Sequence, residues 1–227
     1  MARTKMTRHE LKERDEITTS IQTFMEVAVA RKKQIVTGAV AVVVIIVAFA
    51  GWRIFAANRT AAAQAQLSQA ISAYNDPNIK SEKERFEKSL AEAQKTHDAY
   101  RSLPAGAIAQ YYMALSQDGL GDTAKATENL QQVIQNSDEN ISGVAKFALA
   151  GLYRKHGDVA KAADLYKQIY EKGGYSKSAA AYELGKMYEA DGKVDEAKTY
   201  YQKVVSEFPE SPFRADAEQA LKKLGGA

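Results

Sequence analysis

Apolar residues fall into three regimes along the chain. Residues 1–34 are largely polar and carry one apolar stripe, in which Ile17, Ile21, Phe24, Met25 and Ala28 recur at spacings of three and four. That is the period of a helix face. From Ile35 to Trp52, eighteen successive residues bear no charge, and the polar face that a soluble helix keeps is missing. Extended to Ala57, the run reaches about 34 Å as a helix, enough for a hydrocarbon core of about 30 Å. No proline interrupts the chain between Ile35 and Asn75, and Ala and Gln dominate after Arg53. Both are good helix formers, so one rod is expected to run to the Asp76-Pro77 break. Around it the apolar stripes return: Leu67, Ala70, Ile71 and Tyr74 before the break, Phe86, Leu90, Ala93 and His97 after it. They predict a degenerate helix pair.

From Ala105 the stripes repeat at a period near 35. Leu149-Ala150, Tyr153, Gly157-Asp158, Ala162 and Tyr166 are matched by Leu184-Gly185, Tyr188, Gly192-Lys193, Ala197 and Tyr201, with Pro209 closing the second copy. A weaker copy precedes both, with Met113-Ala114, Gly121-Asp122, Ala126 and Leu130. This pattern resembles the tetratricopeptide repeat, a helix–turn–helix unit of 34 residues. Ala114, Ala150 and Gly185 are small enough for close helix approach, and Ala126, Ala162 and Ala197 occupy the crossing on the second helix. Gly121, Gly157 and Gly192 suit a left-handed turn that ends the first helix. Leu130, Tyr166 and Tyr201 fill the space between pairs. Pro209 stops a helix expected to include Phe208. One such unit cannot bury its own apolar face, so several must stack.

Pro212–Leu224 reads as a single closing helix with Phe213, Ala217, Ala220, Leu221 and Leu224 inward. The expected fold class is all-α: a single N-terminal transmembrane helix followed by a tetratricopeptide-repeat-like α-solenoid. Residues 1–34 form a tail with a short amphipathic helix, and 35–57 the span. Residues 58–103 form a helical connector and the degenerate pair, and 104–227 the repeats with the closing helix. The anchor rests on Ile35, Val44 and Ile45 in the apolar run, with Trp52 and Arg53 as interfacial residues at its far end.

Charge orients this layout. The tail holds eight basic and five acidic residues, whereas Arg53–Ala227 holds 23 of each. Arg31, Lys32 and Lys33 abut the apolar run, so the positive-inside rule keeps the tail cytoplasmic and exports the body. The localisation expected is a bacterial inner membrane, single-pass, with a periplasmic body. A rival stays open: Ala48-Phe49-Ala50 before Gly51 mimics a processing site, and cleavage there would release a secreted repeat protein. The tail stripe has two readings, a juxtamembrane helix on lipid or on a partner, and a short helix that continues into the span. Cysteine is absent, which excludes disulfides, thiolate metal sites and a lipidated cysteine anchor.

Catalytic chemistry is hard to assemble. His9, His97 and His156 form no His-x-x-x-His or His-x-x-Glu pair, Gly173-Gly174 and Gly225-Gly226 lack the lysine of a phosphate loop, and the carboxylates are scattered. No enzyme, catalytic residue, metal or cofactor is expected. A neutral body offers no nucleic-acid stripe.

Binding is the better prospect. Tyr111, Phe147 and Tyr182 share one slot in successive repeats, followed four residues on by Leu115, Gly151 and Lys186, and three further by Asp118, Arg154 and Glu189. Those spacings place each trio on one helix face. The repeat resemblance implies that this face lines a concave surface, so Tyr111, Leu115, Phe147, Arg154, Tyr182, Lys186 and Glu189 are candidate partner-binding residues. The same rings could instead pack between repeats. On the binding reading, Tyr111→Ala with Tyr182→Ala weakens capture and leaves melting intact.

The whole layout is similar to the YfgM-like ancillary subunits of the SecYEG translocon. The likeness rests on a short tail, a span ending Gly51-Trp52-Arg53, and Leu130-Gln131-Gln132 followed by Ser137-Asp138-Glu139-Asn140 between repeats. The resemblance implies a periplasmic scaffold joining the translocon to chaperones. The alternative job for the same fold is a structural organiser of an envelope or division complex, acting by self-association.

Overall fold

The computed structural model describes residues 19, 23, 25, 29–172 and 176–225. Nine helices are formed among them: α1 Lys32–Tyr74, α2 Glu82–Tyr100, α3 Pro104–Gly119, α4 Thr123–Asn136, α5 Glu139–Lys155, α6 Val159–Lys172, α7 Lys177–Ala190, α8 Val194–Glu207 and α9 Arg214–Lys223. Helix and turn account for the regular structure of the described residues, with no strand among them. Contacts divide the chain into Met1–Asn58 and Arg59–Ala227.

In the first unit, Ile17, Ile21, Phe24 and Ala28 of the tail stripe lie outside the described residues; Met25 is exposed. α1 runs unbroken through the apolar stretch and on to Tyr74, as the absence of proline predicts. By length and composition it can cross a membrane, and none of its most apolar 18-residue window is buried. Ile45, near the middle of the apolar run, is 66% exposed. Phe49 and Trp52 touch at its far end, ring centroids 5.9 Å apart.

The second unit is built by succession. From α2 to α9 each helix packs against the next in the chain, and α3 also meets α5. The end of α1 joins through Ser89, whose hydroxyl donates to the Ala70 carbonyl at 3.0 Å. Caps define the starts: Ser81, Asp122 and Asp138 each accept backbone N–H bonds from the first turn that follows. The turns repeat one geometry. Gly121, Gly157 and Gly192 have φ of 87°, 86° and 73°. At each, the glycine N–H and the next N–H close back onto the preceding helix, for example Asp122 to Gln117 at 2.8 Å and Lys193 to Tyr188 at 2.9 Å. This left-handed glycine motif satisfies the carbonyls that a helix end leaves open.

Ala114, Ala150, Ala126, Ala162 and Ala197 are fully buried at the crossings, and Leu130, Tyr166 and Tyr201 are 1% exposed. Gly185 is required by close approach, since a Cβ there would lie 2.6 Å from the Tyr201 ring. Four apolar clusters follow one another along the array, each completed by the next pair, as a solenoid demands. The first pair adds an amide network. Gln110 Nε2 donates to Asn129 Oδ1 at 3.0 Å and to Gln132 Oε1 at 2.6 Å, and Asn129 Nδ2 donates to Gln117 Oε1 at 2.8 Å.

Two expected boundaries move. Phe208 is not part of α8: the helix stops at Glu207, and Phe208 caps it with non-helical dihedrals (φ −129°, ψ 63°) ahead of Pro209, because the residue before proline avoids helical dihedrals. The closing helix is shorter than Pro212–Leu224, spanning Arg214–Lys223 with Phe213 as its N-cap. Ala217 is buried, and Phe213, Ala220, Leu221 and Leu224 pack on the last cluster.

Candidate interaction face

The first helices α3, α5 and α7 present the slots marked out by the repeat. Tyr111, Phe147 and Tyr182 are all half-buried, and each leans on other rings. Tyr111 stands edge-on to Tyr112 at 5.5 Å, Phe147 meets Tyr166 at 5.2 Å, and Tyr182 stacks on Phe213 at 5.2 Å and touches Tyr201 at 5.8 Å. Burial pushes the Tyr111 phenol up to about 12, with the neighbouring Tyr112 adding to it. The rings therefore do pack between helices, while keeping an accessible edge. Tyr182 bridges α7 to Phe213 and Tyr201, so truncating Tyr111 and Tyr182 together is expected to lower melting as well as capture, and the melting curve of the double variant measures how far.

The charged slots pair across repeats. Lys155 Nζ lies 2.8 Å from Asp118 Oδ2, and His156 Nε2 lies 3.0 Å from Asp118 Oδ1. Arg154 and Lys186 flank one carboxylate, Glu183, at 3.6 and 3.1 Å. Lys223 of α9 lies 3.0 Å from Glu189, whose other oxygen accepts from the Tyr201 hydroxyl at 2.8 Å. Burial alone would raise the Asp118 carboxyl; bonds from Lys155 and His156 outweigh it and hold the group below its ordinary value. Bonds from Lys223 and Tyr201 likewise lower Glu189. Arg154 and Glu189 thus take part in contacts between repeats, while Lys186 pairs within α7. Leu115 is half-buried on the same face.

One surface feature was not anticipated. Between α3 and α5 lies an apolar hollow of about 300 Å³ lined by Ile108, Tyr111, Tyr112, Asn140, Ile141 and Val144. Val144 is 44% exposed. Ile108 and Val144 share the slot three residues before Tyr111 and Phe147, so the repeat register could have found them; Tyr112 and Ile141 needed the helix crossing. A row of rings leads to the hollow, Phe86 to Tyr74 at 5.5 Å, Tyr74 to Tyr112 at 5.6 Å, then Tyr111. No charged residue lines it, which suits an apolar side chain as ligand.

Among the described residues no group of three or more His, Asp or Glu could hold a metal. His97 Nδ1 donates to the Gly106 carbonyl at 3.1 Å, and His156 also meets the Thr123 hydroxyl at 3.2 Å. His9 and Gly173-Gly174 lie outside the described residues.

A profile of the Tetratricopeptide repeat-like domain family matches residues 32–225. A search of curated proteins returns no match. A crystal structure from Podosopora anserina, described as a kinesin light chain with nearly identical TPR-like repeats, superposes with a TM-score of 0.54. It is 19% identical, over 71% of this chain and 84% of that one. A variant form of the same protein gives 0.53 at 20% identity, with the same coverage of both chains. At such identities the likeness concerns the fold alone.

Proposed function

Because this chain belongs to the Tetratricopeptide repeat-like domain family, we propose that it is a non-enzymatic protein-interaction scaffold whose partner seats an apolar residue between α3 and α5. The α3/α5 hollow with exposed Val144 carries this reading. Its lining is apolar apart from Asn140, and it opens on the helix face that the repeat register singles out. The partner is a peptide segment, extended or helical, with one aliphatic or aromatic side chain as anchor.

The scaffold is anchored in the bacterial inner membrane by the apolar part of α1, with the tail cytoplasmic and the repeats periplasmic. What supports this is the exposed eighteen-residue run and the basic residues before it. Its partners are translocon subunits and periplasmic chaperones, a reading supported by the YfgM-like layout of the sequence. Self-association is the competing job for the same face.

A photo-crosslinker placed at Val144 in the full chain tests the reading. Adducts with SecYEG subunits or periplasmic chaperones, lost on Ile141→Asp with helicity retained, uphold it. Adducts only with copies of the chain overturn the partner assignment in favour of an envelope organiser. Extraction of the intact polypeptide by alkaline carbonate, or a shorter mature N-terminus beginning at Gly51, would sink the anchor.

A further inference from the structure

A row of four rings leads into the α3/α5 hollow. Phe86 of α2, Tyr74 at the end of α1, then Tyr112 and Tyr111 of α3 follow one another with centroid steps of 5.5, 5.6 and 5.5 Å. The hydroxyls of this row differ from those of the later repeats. There the Tyr170 and Tyr201 hydroxyls donate to Glu207 and Glu189 at 2.8 Å. The Tyr74, Tyr111 and Tyr112 hydroxyls form no hydrogen bond among the described residues, and their oxygens are not sealed as those of Ser116 and Ser137 are. The Asn140 side chain, exposed on the rim at the start of α5, is unpaired too. No carboxylate or ammonium lines the hollow.

We propose that the segment seated here is proline-rich and binds as an extended polyproline II strand, its prolyl rings on the tyrosine faces and its carbonyls on the free hydroxyls and the Asn140 amide. The inference rests on the α3/α5 hollow being the side-chain site proposed above. Electrostatic complementarity selects this occupant. The wall is uncharged, so nothing in it offsets the burial of a charged side chain. Its ring faces are negative and meet the slightly positive C–H edge beside a prolyl nitrogen. A tyrosine hydroxyl or an amide NH₂ turned toward a carbonyl donates to it. A polyproline II strand has no internal hydrogen bonds, so all its carbonyls are open. A helical peptide has spent most of its own along its axis. An ordinary extended strand also brings N–H groups that need acceptors, which no carboxylate in the lining supplies; proline brings none. The strand is stiff before it binds, so ordering it costs little. Aromatic-lined grooves are a recurrent mode of recognising such segments.

Fluorescence anisotropy with the detergent-solubilised full chain tests the assignment, using three labelled peptides of equal length. One carries Pro-Pro-Leu repeats, one has alanine for every proline, and one is an amphipathic helix with leucines three and four apart. Saturable binding of the first is expected, about tenfold tighter than either of the others. Tyr111→Phe and Tyr112→Phe each keep the ring and remove a hydroxyl that bonds to nothing within the chain. Melting therefore stays as in the parent, while binding of the proline peptide weakens roughly threefold to tenfold. Asn140→Ala, on an exposed side chain, has an effect of the same size, and Ile141→Asp with helicity retained abolishes capture. Tighter binding of the helical or the alanine peptide, lost on Ile141→Asp, overturns the proline assignment and leaves the hollow as a side-chain site. Parent affinity for the proline peptide in Tyr111→Phe, Tyr112→Phe and Asn140→Ala overturns it as well. No saturation with any of the three peptides, or binding indifferent to Ile141→Asp, takes the hollow down together with the proline assignment.

Discussion

Gln117 and Asn129 in the first helix pair occupy the slots that Tyr188 and Tyr200 occupy in the third. The amides bond at 2.8 Å within a four-residue network; the tyrosines stack at 5.5 Å with rings 11° from parallel. Both pairs turn on a left-handed glycine and both cross on a buried alanine. The backbone plan is therefore indifferent to whether the inner contact is polar or aromatic, provided that it is complete. A polar contact bears strict geometry and gives little net free energy, whereas an aromatic one buries large area. The third pair should be the stiffer end of the array.

The largest test of that difference removes a ring. Tyr201→Ala empties a site 1% exposed and should cost about 3–5 kcal/mol in urea unfolding. Leu130→Ala, its counterpart in the first pair, should cost less, and the reverse order would break the comparison. Gly185→Ala comes next, at about 1–3 kcal/mol, because the added carbon lands on Tyr201. Gly151→Ala, in the preceding repeat but in the slot of Lys186, meets only the Tyr166 hydroxyl at 3.8 Å and should be close to neutral.

A double-mutant cycle sharpens the polar side. Gln117→Leu takes the acceptor from one Asn129 N–H and should cost about 1–2 kcal/mol; Asn129→Leu in turn strands the Gln110 N–H that Asn129 accepts, so the double mutant should cost less than the sum of the two singles. An additive double mutant would mean that the network is ornamental.

The smallest effects belong to the ion pairs, which serve both ends alike. Lys155→Ala and Lys223→Ala should each cost at most about 1 kcal/mol at neutral pH. Asp118 and Glu189 titrate below their ordinary values of 3.8 and 4.5. Their contribution is thus complete above those values and fades as pH falls through the folded ones. Stability curves of variant and parent should converge at that acid limit.

Much of the plan could be read from spacing. The repeat register located the three turn glycines, the crossing alanines and the buried Leu130, Tyr166 and Tyr201, because each follows from sterics at a fixed helical position. It also set Tyr111, Phe147 and Tyr182 on one face. It could not tell whether Arg154, Lys186 and Glu189 stood free: Glu183, in a slot the repeat did not mark, pairs with Arg154 and Lys186, and Lys223 reaches Glu189 from the closing helix.

Local periodicity, glycine placement and an uncharged run depend on near neighbours, so the sequence alone determined an array of helix pairs behind one long apolar helix. The α3/α5 hollow, the amide network in place of a tyrosine stack, and the exposed flank of Val144 arise where side chains of different helices converge. Only tertiary packing decides such places, since crossing distance sets which surfaces close and which stay open.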